Sequence, residues 1–262
     1  MSAPIRFEIQ DRVGTLTLDR PDKLNALVPE MAEGFREALS KSAEPGVKAL
    51  ILRGEGRGFC AGGDIGWILR NLEAGTWSEM EGLLDLGIEV AFGLRTLPKP
   101  VLAVVHGPCA GAGMSLALAA DLRLATPDAK FSMAFVKIAL HPDWGGSVLL
   151  GQLVNASLAA ELMLTGEAVD AVRAHALGLV NQVVDPEVLD DVVKVMAQRL
   201  AHGPAEAFAR IKASVLRNQG LTPESLKALL VAEGAQMKAA MRTADAREGL
   251  KAFLEKRAPH FA

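Results

Sequence analysis

Twice in this chain an apolar run with β-strand character breaks into a glycine-rich turn, and the second turn opens straight into a helix. Ala49–Leu52 precedes Gly56–Asp64 (GRGFCAGGD), and Val101–Val105 precedes Gly111-Ala-Gly113 and an alanine- and leucine-rich run to Ala120. Glycine tolerates positive φ and lets a backbone approach a ligand closely. A helix start leaves unpaired N–H groups at the positive end of its dipole. Two such turns can aim two backbone N–H groups at one oxygen that turns negative during a reaction. That arrangement is an oxyanion hole, and it points to acyl chemistry rather than simple binding.

The rest of the chain sets these turns in an α/β layered domain. Ile5–Gln10 and Val13–Asp19 alternate as strands around a hairpin turn at Asp11-Arg12. Val28–Ala43 reads as a helix with Pro29 in its first turn, Val47–Leu52 as a buried strand, and Glu79–Leu97 as a long helix stopped by Pro98 and Pro100. Val101–Val105, Ala112–Ala120 and Leu122–Ala125 follow as strand, helix and strand. Beyond Pro186 only helices are expected, over Val188–Ala201, Ala205–Arg217, Pro223–Met241 and Ala244–Arg257. Residues 1–200 therefore form the α/β core and residues 201–262 a helical tail. The tail carries apolar stripes (Leu226, Leu229, Leu230; Leu250, Phe253, Leu254) that must be covered by its own core or by another subunit. The sequence leaves both open.

A chain of 262 residues fits one large domain or one with an appendage. Its net charge of −3, with no Lys/Arg run longer than two, carries no footprint for nucleic acid. The apolar stretches are short and interrupted, which argues against a membrane span, and the N-terminus lacks the apolar core of a secretory signal. Cys60 and Cys109 have neither metal-ligand spacing nor a disulfide framework. A soluble cytoplasmic protein with reduced thiols and no metal is expected. Tyrosine is absent, so acid/base chemistry falls to Asp, Glu, His, Lys or Cys. A dinucleotide fingerprint fails at Leu116, where the third glycine belongs, and no Gly-Lys-Ser/Thr is present for a phosphate loop. Gly113-Met-Ser115-Leu-Ala117 lacks the last glycine of a nucleophile elbow, so Ser115 reads as a small residue at a packed helix start.

Several motifs in order resemble the enoyl-CoA hydratase/isomerase (crotonase) superfamily over essentially the whole length. They are Leu18-Asp-Arg-Pro-Asp-Lys-Leu-Asn-Ala26, Gly58-Phe-Cys-Ala-Gly-Gly-Asp64, Lys99-Pro-Val, His106-Gly107, Ala110-Gly-Ala-Gly113, Ala120-Asp121, Lys130-Phe131, Pro142-Asp-Trp-Gly-Gly146 and Phe253-Leu-Glu-Lys-Arg257. The resemblance implies a spiral of ββα units with a C-terminal helical region that forms trimers, often paired into hexamers. It implies that the N–H groups of Gly63 and Ala112 hold the thioester oxygen of an acyl-CoA. Coenzyme A, arriving as part of the substrate, would lie along Arg20, Lys23, Leu24 and Ala26, with Ala61, Asp64 and Ile65 beside the adenine and pantetheine. Lys256 and Phe253 would reach the phosphates, from the same or a neighbouring subunit. No metal or redox cofactor is implied. The competing reading of Arg20 and Lys23 is a solvated loop.

One departure bears on the reaction. Hydratases of the family use two glutamates to hold a water and deliver a proton to carbon. The resemblance lays Ser115 on the first of these positions and Phe135 on the second. Asp143 remains, at a position where double-bond-shifting, ring-opening and dehalogenating relatives carry a catalytic aspartate. A pocket of Trp144, Phe135 and Met133 would raise its pKa by desolvation. The competing reading of Asp143 is an N-cap for a helix beginning near Gly145. Lys130–Lys137, the following Pro-Asp-x-Gly-Gly and the ending Asp245–Arg257 are closest in wording to the ring-epoxidised phenylacetyl-CoA isomerases. An isomerase using Asp143 is expected. The alternatives are a hydratase or thioester hydrolase on the same scaffold, and a catalytically silent CoA-binding protein. His141 is either a second proton carrier or a partly exposed filler, and His106 is expected to bond backbone.

Overall fold

The computed structural model describes residues 3–262. β1 (Ile5–Gln10) and β2 (Val13–Leu18) form a hairpin whose turn residues, Asp11 and Arg12, both have positive φ, as a tight two-residue turn demands. A 3₁₀ turn opening at Pro29 leads into α1 (Ala32–Ala43), which returns the chain to β3 (Ala49–Gly54). α2 (Ile65–Ala74) and α3 (Trp77–Thr96) follow, then β4 (Val101–Val105), β5 (Pro108–Ala110), α4 (Ala112–Leu118), β6 (Leu122–Ala125) and β7 (Lys130–Ser132). Next come α5 (Gly146–Leu153), α6 (Ala156–Thr165), β8 (Val169–Asp170), α7 (Ala171–Ala176) and β9 (Gln182–Val183). α8 (Leu189–Ala201), α9 (Ala205–Asn218), α10 (Pro223–Ala240) and α11 (Ala244–Leu254) end the fold. α10 starts on a capping box between Thr222 and Ser225 with Pro223 in its first turn.

The larger sheet has six strands in the order β1-β2-β3-β4-β6-β9, parallel except for the β1–β2 hairpin. A smaller sheet, β5-β7-β8, lies beyond it. β3, β4 and β6 each run on into this second layer. Phe59 N donates to His106 O (2.8 Å), Ala110 N to Cys60 O (2.9 Å) and Lys130 N to Gly107 O (2.9 Å), with β5 and β7 in parallel register. This repeated strand-to-strand step is the turn of the spiral, and it stacks the two glycine segments side by side.

α8 covers one face of the large sheet, where Val193, Ala197 and Ala201 pack on Val13, Ile51, Leu102 and Val104. α10 and α11 return to the main core through Met237, Ala246 and Leu250. The tail stripes are thus divided. Leu226, Leu230 and Leu250 are buried, whereas Leu229, Phe253 and Leu254 stay exposed. Among the described residues no helix is long and apolar enough to cross a membrane.

The close stacking of the layers depends on glycine. A Cβ on Gly113 would lie 2.2 Å from Cys60 O and 2.7 Å from Cys60 Cβ. Gly113→Ala is therefore expected to cost about 3 kcal/mol through forced separation of the layers. Gly151→Ala, in α5 with open space around it, should instead gain about 0.5–1 kcal/mol. Denaturant melts of the two variants check the opposed signs.

Candidate active site

The two glycine turns meet at a cavity of about 270 Å³. Gly62 takes φ +96°, and a Cβ there would sit 2.9 Å from Ala110 O and 3.5 Å from Ala112 N, so the turns abut. Leu27 pairs with the backbone on either side of Gly63: its N–H donates to Gly62 O (2.7 Å) and its carbonyl accepts from Asp64 N (3.1 Å). That pairing turns the Gly63 amide away from Leu27. Ala112 is the first residue of α4, where an amide has no intrahelical acceptor. Neither the Gly63 nor the Ala112 amide donates to an acceptor among the described residues, and both residues line the cavity.

Asn25 holds the first turn in place. This fully buried side chain donates from Nδ2 to Glu55 O (2.9 Å) and Gly58 O (2.8 Å) and accepts from Arg20 N (2.9 Å). Cys60 Sγ–H donates to Asn25 O (3.2 Å), and burial pushes the Cys60 thiol up to about 12 and the Cys109 thiol well up. Neither cysteine is an available nucleophile at neutral pH.

The walls are apolar and aromatic: Ile65, Trp67, Ile68, Met80, Leu83, Leu84, Phe135, Leu140, Trp144, Met237, Met241 and Phe253. Among the described residues only two ionisable side chains line the cavity, Asp143 and the exposed Lys137. Asp143 is 6 % exposed, and its Oδ1 has no hydrogen-bond partner among the described residues. Burial, and then the neighbouring Glu233 charge, hold its carboxyl well above the usual carboxylate range. Trp144 and Gly145 both have positive φ, which swings the chain out of the loop and into α5. The Trp144 ring lies so close on α3 that a Cβ at Gly87 would come within 2.5 Å of it, and its ring meets Phe35 edge-on at 5.7 Å.

Of the residues singled out from sequence, Gly63, Ala112, Asp143, Ala61, Ile65, Phe135, Trp144 and Phe253 come together around the cavity. Arg20, Lys23, Leu24, Ala26, Asp64 and Lys256 do not line it. Arg20 Nη2 pairs with Asp64 Oδ2 (3.2 Å) and Arg20 also donates to Ala26 O, while Asp64 caps α2 through Trp67 N (3.1 Å). Lys23 and Lys256 are exposed and have no carboxylate partner among the described residues. Met133 was expected in the wall and is not there. It is fully buried behind the cavity against the start of α5, because β7 ends one residue earlier and the chain bends.

Asp143 does not cap α5 with its side chain either. Its backbone carbonyl accepts from Gly146 N (2.9 Å), and the capping carboxylate is Glu233. Ser115 is buried and donates to Gly111 O (3.3 Å), and His106 Nε2 bonds Gly56 O (2.9 Å) as expected. His141 shares Nδ1 with Pro142 O and does not line the cavity. Sequence reasoning passed over Glu233, although it left a signal. It is the one acidic residue in a buried stripe of α10 formed with Leu226, Leu230 and Met237. The wall residues of α3 left none, since a cavity wall and a core stripe share one helical spacing. Among the described residues no cluster of His, Cys, Asp or Glu is placed to hold a metal.

The family model described as enoyl-CoA hydratase/isomerase matches residues 8–262. The chain is 39% identical to the 1,2-epoxyphenylacetyl-CoA isomerase of Escherichia coli (strain K12), over 98% of this chain and 97% of that protein. It is 33% identical to the crotonyl-CoA hydratase of Syntrophomonas wolfei, with 98% and 97% covered. The crystal structure of an enoyl-CoA hydratase from Mycobacterium avium subsp. paratuberculosis K-10 superposes with a TM-score of 0.88 at 33% identity, covering 99% of each chain.

Proposed function

The chain belongs to the enoyl-CoA hydratase/isomerase family, and from that premise we propose that it is an acyl-CoA isomerase with Asp143 as its single proton carrier. The observation that supports this is a single carboxyl among the described residues lining a largely apolar cavity, beside two backbone amides with no acceptor among those residues. Ser115 is tied to Gly111 O and Phe135 is hydrocarbon, so no second carboxylate stands by to hold an attacking water.

The carbonyl oxygen of a 3-enoyl thioester accepts hydrogen bonds from Gly63 N–H and Ala112 N–H. Ionised Asp143 takes a proton from C2, and the electron pair moves into the carbonyl, giving a dienolate whose negative oxygen sits in the hole. The protonated carboxyl then returns the proton to C4. The double bond moves from C3–C4 to C2–C3, and no water is consumed. Each amide contributes about 3 kcal/mol where the charge develops. A carboxyl raised by burial is a stronger base once ionised, which matches it to a weak carbon acid. One relative is named 1,2-epoxyphenylacetyl-CoA isomerase, and the aromatic walls of this cavity suit a ring substrate as well.

Coenzyme A enters as part of the substrate, with Ala61 and Ile65 along its pantetheine arm. Of the three cations in these motifs, Lys23 and Lys256 have no carboxylate partner among the described residues, whereas Arg20 is held by Asp64 and shapes the loop. The reading includes no metal or redox cofactor, a cytoplasmic setting and a homotrimer or a pair of trimers.

Ultraviolet assays with 3-enoyl-CoA and 2-enoyl-CoA test the reaction. Conjugation of the 3-enoyl substrate with the 2-enoyl absorbance intact is expected. Loss of 2-enoyl absorbance would favour hydration, the reaction in the name of the Syntrophomonas relative. Because the base form of Asp143 is made only as pH rises through its raised pKa, kcat/KM should climb from the acid side, with a midpoint above the ordinary carboxylate range.

A further inference from the structure

Glu233 lies in the middle of α10, 5 % exposed, and spends both oxygens on the segment that follows Asp143. Its Oε2 accepts from Gly145 N (2.7 Å), and its Oε1 accepts from Ser147 N (2.7 Å) and Ser147 Oγ (2.6 Å). These amides belong to a turn with two consecutive left-handed residues and to the open end of α5, whose own N-cap, Gly145, offers no side chain. Without Glu233 the buried Gly145 amide and the part-buried Ser147 amide would be donors with nothing to bond. The loop is therefore pinned on two sides, by Trp144 wedged against Gly87 of α3 and by Glu233 from α10. Asp143 directly precedes the two pinned positions.

We infer that Glu233 is a positioning residue for Asp143, fixing where its carboxyl stands in the cavity and setting the charge behind it. The inference rests on the reading of Asp143 as the proton carrier. Burial raises the Glu233 carboxyl too, against three donors that favour its ionised form; Asp143, with an oxygen unpaired, is raised well above its ordinary range and is the harder of the two to ionise. The other charged side chain lining the cavity among the described residues is Lys137. α2, α4 and α11 line the cavity with apolar residues only. Glu81 and Asp85 of α3 are turned to Arg242 and Lys238, and His141 is bonded to Pro142 O. The negative charge that Asp143 meets is thus that of Glu233.

Glu233→Gln keeps the shape, removes the charge and sets an amide donor against one of the N–H groups. It is expected to lower kcat about 10–100-fold with KM within about threefold, as a small displacement of a reacting group does. The acid-side midpoint of kcat/KM should also move to lower pH, since the charge opposing Asp143 ionisation is gone. Ser147→Ala deletes one of the three bonds and leaves the charge; a kcat loss of about 2–5-fold with an unmoved midpoint is expected. If either variant fails to fold, the other still decides. Wild-type kcat and midpoint, with only a lowered Tm, would make Glu233 a structural cap and overturn the inference. Asp143→Asn assayed in parallel separates the two readings. A fully active Asp143→Asn sinks the proton-carrier assignment, whereas an inactive one beside an unaltered Glu233→Gln sinks the positioning role alone.

Discussion

Asp143→Asn is expected to abolish double-bond migration while making the folded protein harder to melt. The amide has nearly the shape of the carboxyl but accepts no proton from carbon, so kcat falls by about 10³-fold or more. Binding of a saturated acyl-CoA, which needs no proton transfer, should hold within about threefold. Stability moves the other way. A carboxyl whose folded pKa lies above its unfolded value makes the native state retain a proton that the unfolded chain has lost. Wild-type stability therefore declines as pH rises from the ordinary carboxylate range up to the raised pKa, and is level beyond it. The variant has no such group and skips that decline. Its advantage is absent near pH 3 and larger at pH 8, on the order of 1 kcal/mol or roughly 2–4 °C. Melts at the two pH values, with turnover of a 3-enoyl-CoA, check both halves. A variant that keeps its activity, or melts lower at pH 8, contradicts the picture of a buried, functional acid.

The glycine segments were legible because backbone chemistry leaves a mark in sequence wherever a side chain would collide. Gly62 and Gly111 have positive φ, and Gly113 has no room for a methyl, so the turns that present Gly63 and Ala112 could be written only with glycine around them. The long strands and helices were legible through their period, to within a few residues: the helix expected over Glu79–Leu97 spans Trp77–Thr96, and the strand expected over Val47–Leu52 spans Ala49–Gly54. The second sheet and the edge strand β9 of the first were not. β5 and β7 are three residues long and β8 and β9 two, too short for alternation to register. α2, α6 and α7 went unread as well. α2 begins directly on the residue after Asp64, within a motif that reads as loop. The walls of the cavity drew on α3 and α10, whose apolar faces look alike whether they meet a core or a substrate. Arg20 shows the complementary limit. A cation in a motif reads as a phosphate ligand, and only the fold shows that Asp64, forty-four residues away, comes to within 3.2 Å of it.

Ala112→Pro should cost about 10²–10³ in kcat/KM and little in stability, an asymmetry that few substitutions at a buried residue share. Proline removes the amide hydrogen and nothing else that α4 requires, because the first residue of a helix has no carbonyl to donate to and tolerates the fixed φ of the ring. The usual clash with the preceding residue is small, since that residue is Gly111. What is lost is one of two donors to the dienolate oxygen, worth about 3–4 kcal/mol in the transition state. Ala112→Gly, which keeps the N–H, is the control and should stay within about threefold. Steady-state kinetics and thermal melts on the pair decide the matter. An Ala112→Pro enzyme within tenfold of wild type would mean that the thioester oxygen sits elsewhere. The double variant with Asp143→Asn adds a stricter demand. A carboxyl that pulls a proton from carbon and an amide that receives the displaced charge serve one transition state, so their losses should overlap rather than multiply. Losses that multiply would indicate that the amide acts in substrate binding and the carboxyl in chemistry, each without the other.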